Sequence, residues 1–241
     1  HPGPESDIEI LRLMLAALSA TGMDGLHIDI GHVGVFRSLS AQAGLPAALE
    51  AELFDALQRK ARPEVDGLLA GADIAAADKA MLAALADLNG GAEVLTQARE
   101  RLASAGGPVH AALDVLATVA AAVARSHPDM PQYFDLAELR GYHYYTGVVY
   151  SAFIPGHGQA VAQGGRYDGI GKAFGRERAA TGFSADLRRL LKLLPDDRQS
   201  SAAILAPWSE DVLLQKEIVR LRASGERVVV ALPGIGLDAG Q

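Results

Sequence analysis

The 241-residue chain reads as an α+β protein. It has a largely antiparallel sheet with flanking helices, an all-helical insert, and a partial α/β unit at its C-terminal end. Three observations carry this reading. Leucines and alanines recur at three- and four-residue spacing from Pro46 to about Ser126. Beyond "HPDMPQYFDLAELRG" the apolar period changes to two. The stretch 202–234 then runs strand, helix, strand.

The elements follow in order. "SDIEILRLMLAALSATGM" (6–23) predicts a helix, with Ser6 as N-cap, Ile8, Leu11, Leu15 and Leu18 on one face, and Gly22 at the C-cap. "GLHIDIG" (25–31) alternates as a strand, and "HVGVFRSLSAQAG" (32–44) returns to helix. An all-helical insert of four or five helices occupies about 45–128, broken at Pro63, Gly71, Asn89-Gly90-Gly91 and Gly106-Gly107-Pro108. "YYTGVVYSAFI" and "AVAQGGRYDGI" predict two arms of a hairpin around "PGHGQ", and the second runs into a glycine-rich bend. "AATGFSADLRRLLKLLP" (179–195) gives a lead-in and an amphipathic helix. "DDRQSS" (196–201) is a linker by composition, which divides the chain into a core at 1–195 and a short α/β segment at 202–241.

Composition excludes several classes. With no cysteine, thiolate zinc sites, disulfides and cysteine nucleophiles are absent, which fits a reducing cytoplasm. The most apolar run, 109–124, is short for a bilayer span and carries Asp114, so it reads as a buried helix and no membrane partner is expected. No signal peptide is visible, and a chain that opens on His1 suggests a fragment or a processed chain. Net charge is −7, and the insert holds 11 acidic against 7 basic residues, so a tRNA-gripping surface is disfavoured. His27, Asp29 and His32 lack a ligand spacing, and no metal is expected.

Chemistry concentrates in three stretches. In "ELRGYHYYTGVVY" (138–150), four of the chain's six tyrosines fall within nine positions, close to Arg140. Phenols over an apolar floor suit a small polar ligand, and an arginine fork suits a carboxylate or phosphate. If the tyrosines lie on a strand, Tyr142 and Tyr144 share one face, with His143 and Tyr145 on the other. The same rings would also serve as core filler, and the residues alone leave both readings open. In "GGRYDG" (164–169), paired glycines permit close backbone approach beside Arg166 and Tyr167. In "GFSADLRRLL" (182–191), Arg188 and Arg189 offer an anion or partner contact within the one locally basic region. Phosphate-loop patterns fail, because Arg166 stands where the first glycine of "GIGK" should be and Ala173 follows Lys172.

Taken together, these stretches resemble the core of class II histidyl-tRNA synthetases over about residues 6–195. Arg140-Gly141-Tyr142-His143-Tyr144-Tyr145-Thr146 is similar to that family's R-G-L-D-Y-Y-T, and Gly164-Gly165-Arg166-Tyr167-Asp168-Gly169 matches its G-G-R-Y-D-G. At the family's third motif, G-F-A-x-G-x-E-R-L, Arg189 keeps the nucleotide-binding arginine. Asp186 replaces the inner glycine there and Arg188 the glutamate. A carboxylate at that point opposes the approach of ATP phosphates. "GYHYYTG" resembles more closely the synthetase's non-catalytic paralogue, the regulatory subunit of short-form ATP phosphoribosyltransferase.

That resemblance implies a class II synthetase-like fold that binds L-histidine without cofactor, metal, tRNA or chemistry of its own. It implies a homodimer within a cytoplasmic hetero-oligomer, where a short catalytic subunit is activated and feedback-regulated in histidine biosynthesis. Arg140 would meet the histidine carboxylate, Tyr144 and Tyr145 would wall the pocket, and Tyr167 would bond the imidazole. Gly164, Gly165 and Arg166 would form the adjoining floor. A working histidyl-tRNA synthetase and a pseudo-synthetase interaction module are the other readings. The family's first two motifs would precede residue 1, and without those strands the sheet is expected to leave an apolar face exposed.

Overall fold

The computed structural model describes residues 1–138, 141–142, 144–176, 178–193 and 203–233. Arg140, His143 and the linker at 196–201 lie outside the described residues. The chain divides into two compact units, His1–Leu194 and Pro195–Gln241.

The first unit opens with helix α1 (Pro4–Ser19) and strand β1 (His27–His32), followed by α2 (Val33–Ala43). Ser6 does not cap α1. The N-cap is Gly3, with Pro4 entering the first turn, where its fixed φ suits a helix and its missing N–H costs nothing. Five helices make the insert: α3 (Ala47–Gln58), α4 (Arg62–Gly71), α5 (Ala76–Ala84), α6 (Glu93–Arg101) and α7 (Gly107–Ser126). Between α5 and α6 lies a two-residue strand, β2 (Asn89–Gly90), where periodicity predicts only a turn. Next come β3 (Gln132–Asp135), β4 (Val148–Phe153), β5 (Ala162–Arg166) and β6 (Thr181–Ala185). A 3-10 segment, Asp168–Phe174, separates β5 from β6, and the short α8 (Leu187–Leu193) ends the described part of the unit.

These strands form one sheet in the order β2-β3-β1-β4-β5-β6. All pairings are antiparallel except β1 with β3. Residues directly opposite share a face, so register sorts the side chains. Ile28, Ile30, Tyr150, Ala152 and Ala162 face the helices and are buried. Leu11, Met14 and Leu15 of α1, Phe36 of α2, and Leu116 and Val119 of α7 join them in one core. Each such side chain contributes about 1.5–3 kcal/mol through burial. Among the described residues α7 alone has the length and composition to cross a bilayer, and its apolar stripe packs into this core.

The opposite face of the sheet carries a polar row as well as exposed rings, Tyr133 among them. Register lines up Tyr133, Asp29, Ser151, Gln163 and Ser184 as a polar row across five strands. Beside it runs a second row, Gly31, Val149, Gly165 and Gly182. Period two in these strands therefore alternates core against cleft rather than core against an apolar partner surface.

The second unit is a βαβ element: β7 (Ile204–Pro207), α9 (Val212–Ala223) and β8 (Val228–Ala231), with β7 and β8 parallel. Asp211 caps α9 by accepting from the Leu213 N–H at 2.8 Å, and Ala206, Ile218 and Val228 form its small core.

Candidate functional site

The tyrosine-rich stretch is not a strand along its whole length. Gly141 adopts φ +71°, and the N–H groups of Tyr144 and Tyr145 both donate to its carbonyl at 2.7 Å. This turn precedes β4, so strand alternation does not apply to the rings. Arg37 of α2 pins it by donating to the Tyr142 carbonyl at 2.8 Å and the Tyr145 carbonyl at 3.2 Å.

Tyr142 turns toward the insert, against Phe36 and Phe54 at centroid distances of 5.7 and 5.1 Å, with the Arg37 guanidinium 4.8 Å above its ring. Its hydroxyl donates to Glu50 at 2.7 Å, and burial, aided by that carboxylate, pushes the phenol up to about 12. Tyr142 thus joins Tyr150 as a core tyrosine of the group.

Tyr144 and Tyr145 go the other way and meet Tyr167. Tyr144 stacks on Tyr167 at 5.0 Å and meets Tyr145 edge-on at 5.1 Å. Burial, reinforced by the two neighbouring phenols, holds Tyr145 above the ordinary tyrosine range. Face-sharing by Tyr144 and Tyr145 corrects the alternation that the sequence predicts.

The glycine row makes room for this cluster. A methyl group on Gly165 would sit 3.0 Å from the Tyr145 ring, and one on Gly182 would sit 2.5 Å from the Tyr167 hydroxyl. At the other end, a methyl on Gly31 would sit 2.8 Å from Cβ of Glu138. Three side chains therefore lie close over the sheet where glycines allow it. Between Glu138 and the Tyr144–Tyr145 pair is a cavity of about 240 Å³, floored by Ser151, Gln163 and Gly164. It is smaller than the ~300–1,000 Å³ of drug-sized sites and suits a metabolite.

Of the residues singled out from the sequence, Tyr144, Tyr145 and Gly164 line this cavity, Gly165 seats Tyr145, and Tyr167 stands one ring further out. Arg166 is not brought there. Its side chain lies on the helical face and donates to Asp7 at 3.0 Å, to the Gly3 carbonyl at 2.9 Å and to Asp168 at 3.2 Å. The Asp7–Arg166 pair is buried, and burial pushes the Asp7 carboxyl up even against the arginine. Arg166 therefore ties α1 to β5, and only its strand backbone continues the floor. Arg189 donates to the Ala160 carbonyl at 2.6 Å, while Asp186 accepts from its backbone N–H at 3.1 Å, and Arg188 is exposed. His32 lies on the helical face, away from His27 and Asp29.

Glu138, Ser151 and Gln163 escaped the sequence reading. Ser151 and Gln163 had a signal, being polar residues at alternating positions in apolar strands. Glu138 had none, because its place depends on Gly31, more than a hundred residues earlier.

The mostly antiparallel sheet, with helices on one face and a tyrosine-walled cleft on the other, is that of a histidyl-tRNA synthetase-like protein. The family model described as histidyl-tRNA synthetase matches residues 1–190, and that of the ATP phosphoribosyltransferase subunit HisZ C-terminal domain matches 201–241. An ATP phosphoribosyltransferase regulatory subunit of Pseudomonas fluorescens (strain Pf0-1) is 52% identical over 239 residues, covering 98% of this chain and 60% of that protein. One from Thioalkalivibrio sulfidiphilus (strain HL-EbGR7) is 48% identical over 240 residues, covering 99% and 61%. The crystal structure of an ATP phosphoribosyltransferase regulatory subunit/histidyl-tRNA synthetase from Bacillus halodurans C aligns with a TM-score of 0.79 at 26% identity. That alignment covers 98% of this chain and 62% of that one. The chain belongs to the histidyl-tRNA synthetase family over residues 1–190, and its last stretch matches the HisZ C-terminal domain. It spans about 60% of the length of these curated relatives.

Proposed function

We propose that the protein containing this chain is a non-catalytic regulatory subunit. It binds L-histidine in the tyrosine cleft and, as a homodimer within a cytoplasmic hetero-oligomer, activates and feedback-regulates a short ATP phosphoribosyltransferase. The observation that carries this reading is the 52% identity to a relative of that name across 98% of the chain, both units included. The cleft supports it physically. Its 240 Å³ fits an amino acid, and phenol hydroxyls can donate to or accept from either imidazole nitrogen. Arg140 is assigned to the ligand carboxylate by resemblance, with Arg188 and Arg189 as candidates for an anion or partner contact.

The rival reading, an ATP-dependent histidine–tRNA ligase, draws on the synthetase family model over 1–190. Asp186 speaks against it, because it puts a carboxylate beside Arg189, whose guanidinium is committed to the Ala160 carbonyl. No tRNA partner is assigned.

Reconstitution tests the proposal. The full-length protein mixed with its short catalytic subunit should raise phosphoribosyltransferase activity, and histidine should lower it. The full-length protein alone should give no histidine-dependent ATP–pyrophosphate exchange. Exchange at enzymatic rates, about 1 s⁻¹ or more, would show a ligase instead.

A further inference from the structure

We propose that Asp168 is the positioning residue for Tyr167, and through it for the phenol wall of the cleft. The role rests on the cleft being an amino-acid site, and it names what sets one wall of that site. Strands β5 and β6 pair as far as Arg166 opposite Thr181. The next pair of an antiparallel ladder, Tyr167 with Ala180, would exchange two backbone hydrogen bonds. One of them forms in the usual way, from the Tyr167 N–H to the Ala180 carbonyl at 2.8 Å. The Ala180 N–H donates instead to Oδ1 of Asp168, also at 2.8 Å. A side-chain oxygen thus stands in for the Tyr167 carbonyl, which accepts from the Ile170 N–H at 3.2 Å and opens the 3-10 segment.

The chain can therefore leave the sheet directly after Tyr167 without orphaning the Ala180 donor. The carboxylate that makes this possible is fixed from the helical face. Arg166 donates to Asp168 at 3.2 Å while it is itself held by Asp7 at 3.0 Å. On the cleft face, the Tyr167 hydroxyl lies over Gly182 and its ring stacks on Tyr144 at 5.0 Å.

The backbone of Asp168 also meets the turn that carries the other two rings. Its N–H donates to Oγ1 of Thr146 at 3.1 Å, and the Thr146 N–H donates to the Arg166 carbonyl at 2.7 Å. Tyr144 and Tyr145 directly precede Thr146. That contact uses main-chain N–H and survives substitution of the Asp168 side chain, so the carboxylate's own effect runs through Tyr167. Asp168 does not line the cavity.

Calorimetry of L-histidine binding to the full-length protein tests the assignment. Asp168→Ala should weaken binding about three- to thirtyfold. Asp168→Asn keeps an oxygen for the Ala180 N–H and should stay within about threefold of wild type. In a Tyr167→Ala background, itself weaker than wild type, most of the loss from Asp168→Ala should vanish. Asp168→Ser, one bond shorter than aspartate, replaces the alanine variant if that does not fold, with the same expectation. Unchanged histidine affinity in Asp168→Ala overturns the assignment, as does wild-type affinity in Tyr167→Ala or an equal loss in both backgrounds. An asparagine variant as weak as the alanine one also overturns it, since the charge facing Arg166 rather than the ladder bond would then matter. Wild type that binds no histidine overturns the amino-acid reading of the cleft itself, and the Asp168 role with it.

Discussion

The Tyr145 ring rests against Gly141 at one edge and Gly165 at the other. Methyl groups at those positions would approach it to 2.6 and 3.0 Å. At Gly165 the same methyl would also lie 2.5 Å from the Val148 carbonyl, a backbone atom that cannot swing aside. Gly165→Ala must therefore spread β4 from β5 and lift Tyr145 from the cleft floor. We expect a loss of about 1–3 kcal/mol, as for other overpacking changes, together with weaker histidine binding. Gly158, around which nothing lies within 4 Å, supplies the control, and its alanine variant should stay within about 0.5 kcal/mol. Urea unfolding of both variants decides the point, and an unchanged midpoint for Gly165→Ala would mean the strands yield more easily than this packing implies. The paired glycines were legible as a site of close approach. Which ring approached was not, because Gly141 opens a turn ahead of β4 where a strand was expected, and the turn puts Tyr145 on the same side as Tyr144.

Helix α2 begins on a titratable cap. The His32 side chain accepts from the Gly34 N–H at 3.1 Å through Nδ1, and burial, then the nearby Arg37 charge, lowers its pKa from 6.5 to about 4. Protonation at Nδ1 would also remove the acceptor. Between about pH 6.5 and 4 the unfolded chain binds the proton and the folded chain does not, so stability falls as pH drops through that window. The full linkage for such a shift is up to about 3 kcal/mol, less here because the ring is only half-buried. His32→Asn keeps a capping oxygen without the titration. Its stability advantage over wild type should be larger at pH 4.5 than at pH 7, and a constant difference would remove His32 from the pH response. The Asp7 carboxyl, raised by burial, has the opposite slope but is common to both proteins, so the comparison isolates His32. At this scale the helices were legible because each keeps an apolar stripe. Strands β2, β3 and β6 were not, since they are two to five residues long and get their hydrogen bonds from neighbours distant in sequence.

At the scale of the whole molecule, the helix-covered face of the sheet holds the fold together and the polar face holds the cleft. The fold class was readable because helical and strand periods occupy separate stretches of chain. The polarity of the open face was not, because alternation reports two faces without saying whether the second meets protein, ligand or water. If histidine in this cleft restrains a catalytic subunit by weakening its grip on a substrate, the two sites share one coupling free energy, typically about 1–3 kcal/mol. Reciprocity then fixes a second number. Whatever factor histidine takes from substrate affinity, about 5- to 150-fold on that scale, saturating substrate must take from histidine affinity in the assembled complex. Calorimetric titration of histidine into the complex, with and without substrate, should return the factor found for substrate with and without histidine. Unequal factors would mean the two ligands compete for different assemblies. A factor of one in both directions would mean that histidine in the cleft does not act on substrate binding, and any inhibition would then fall on turnover.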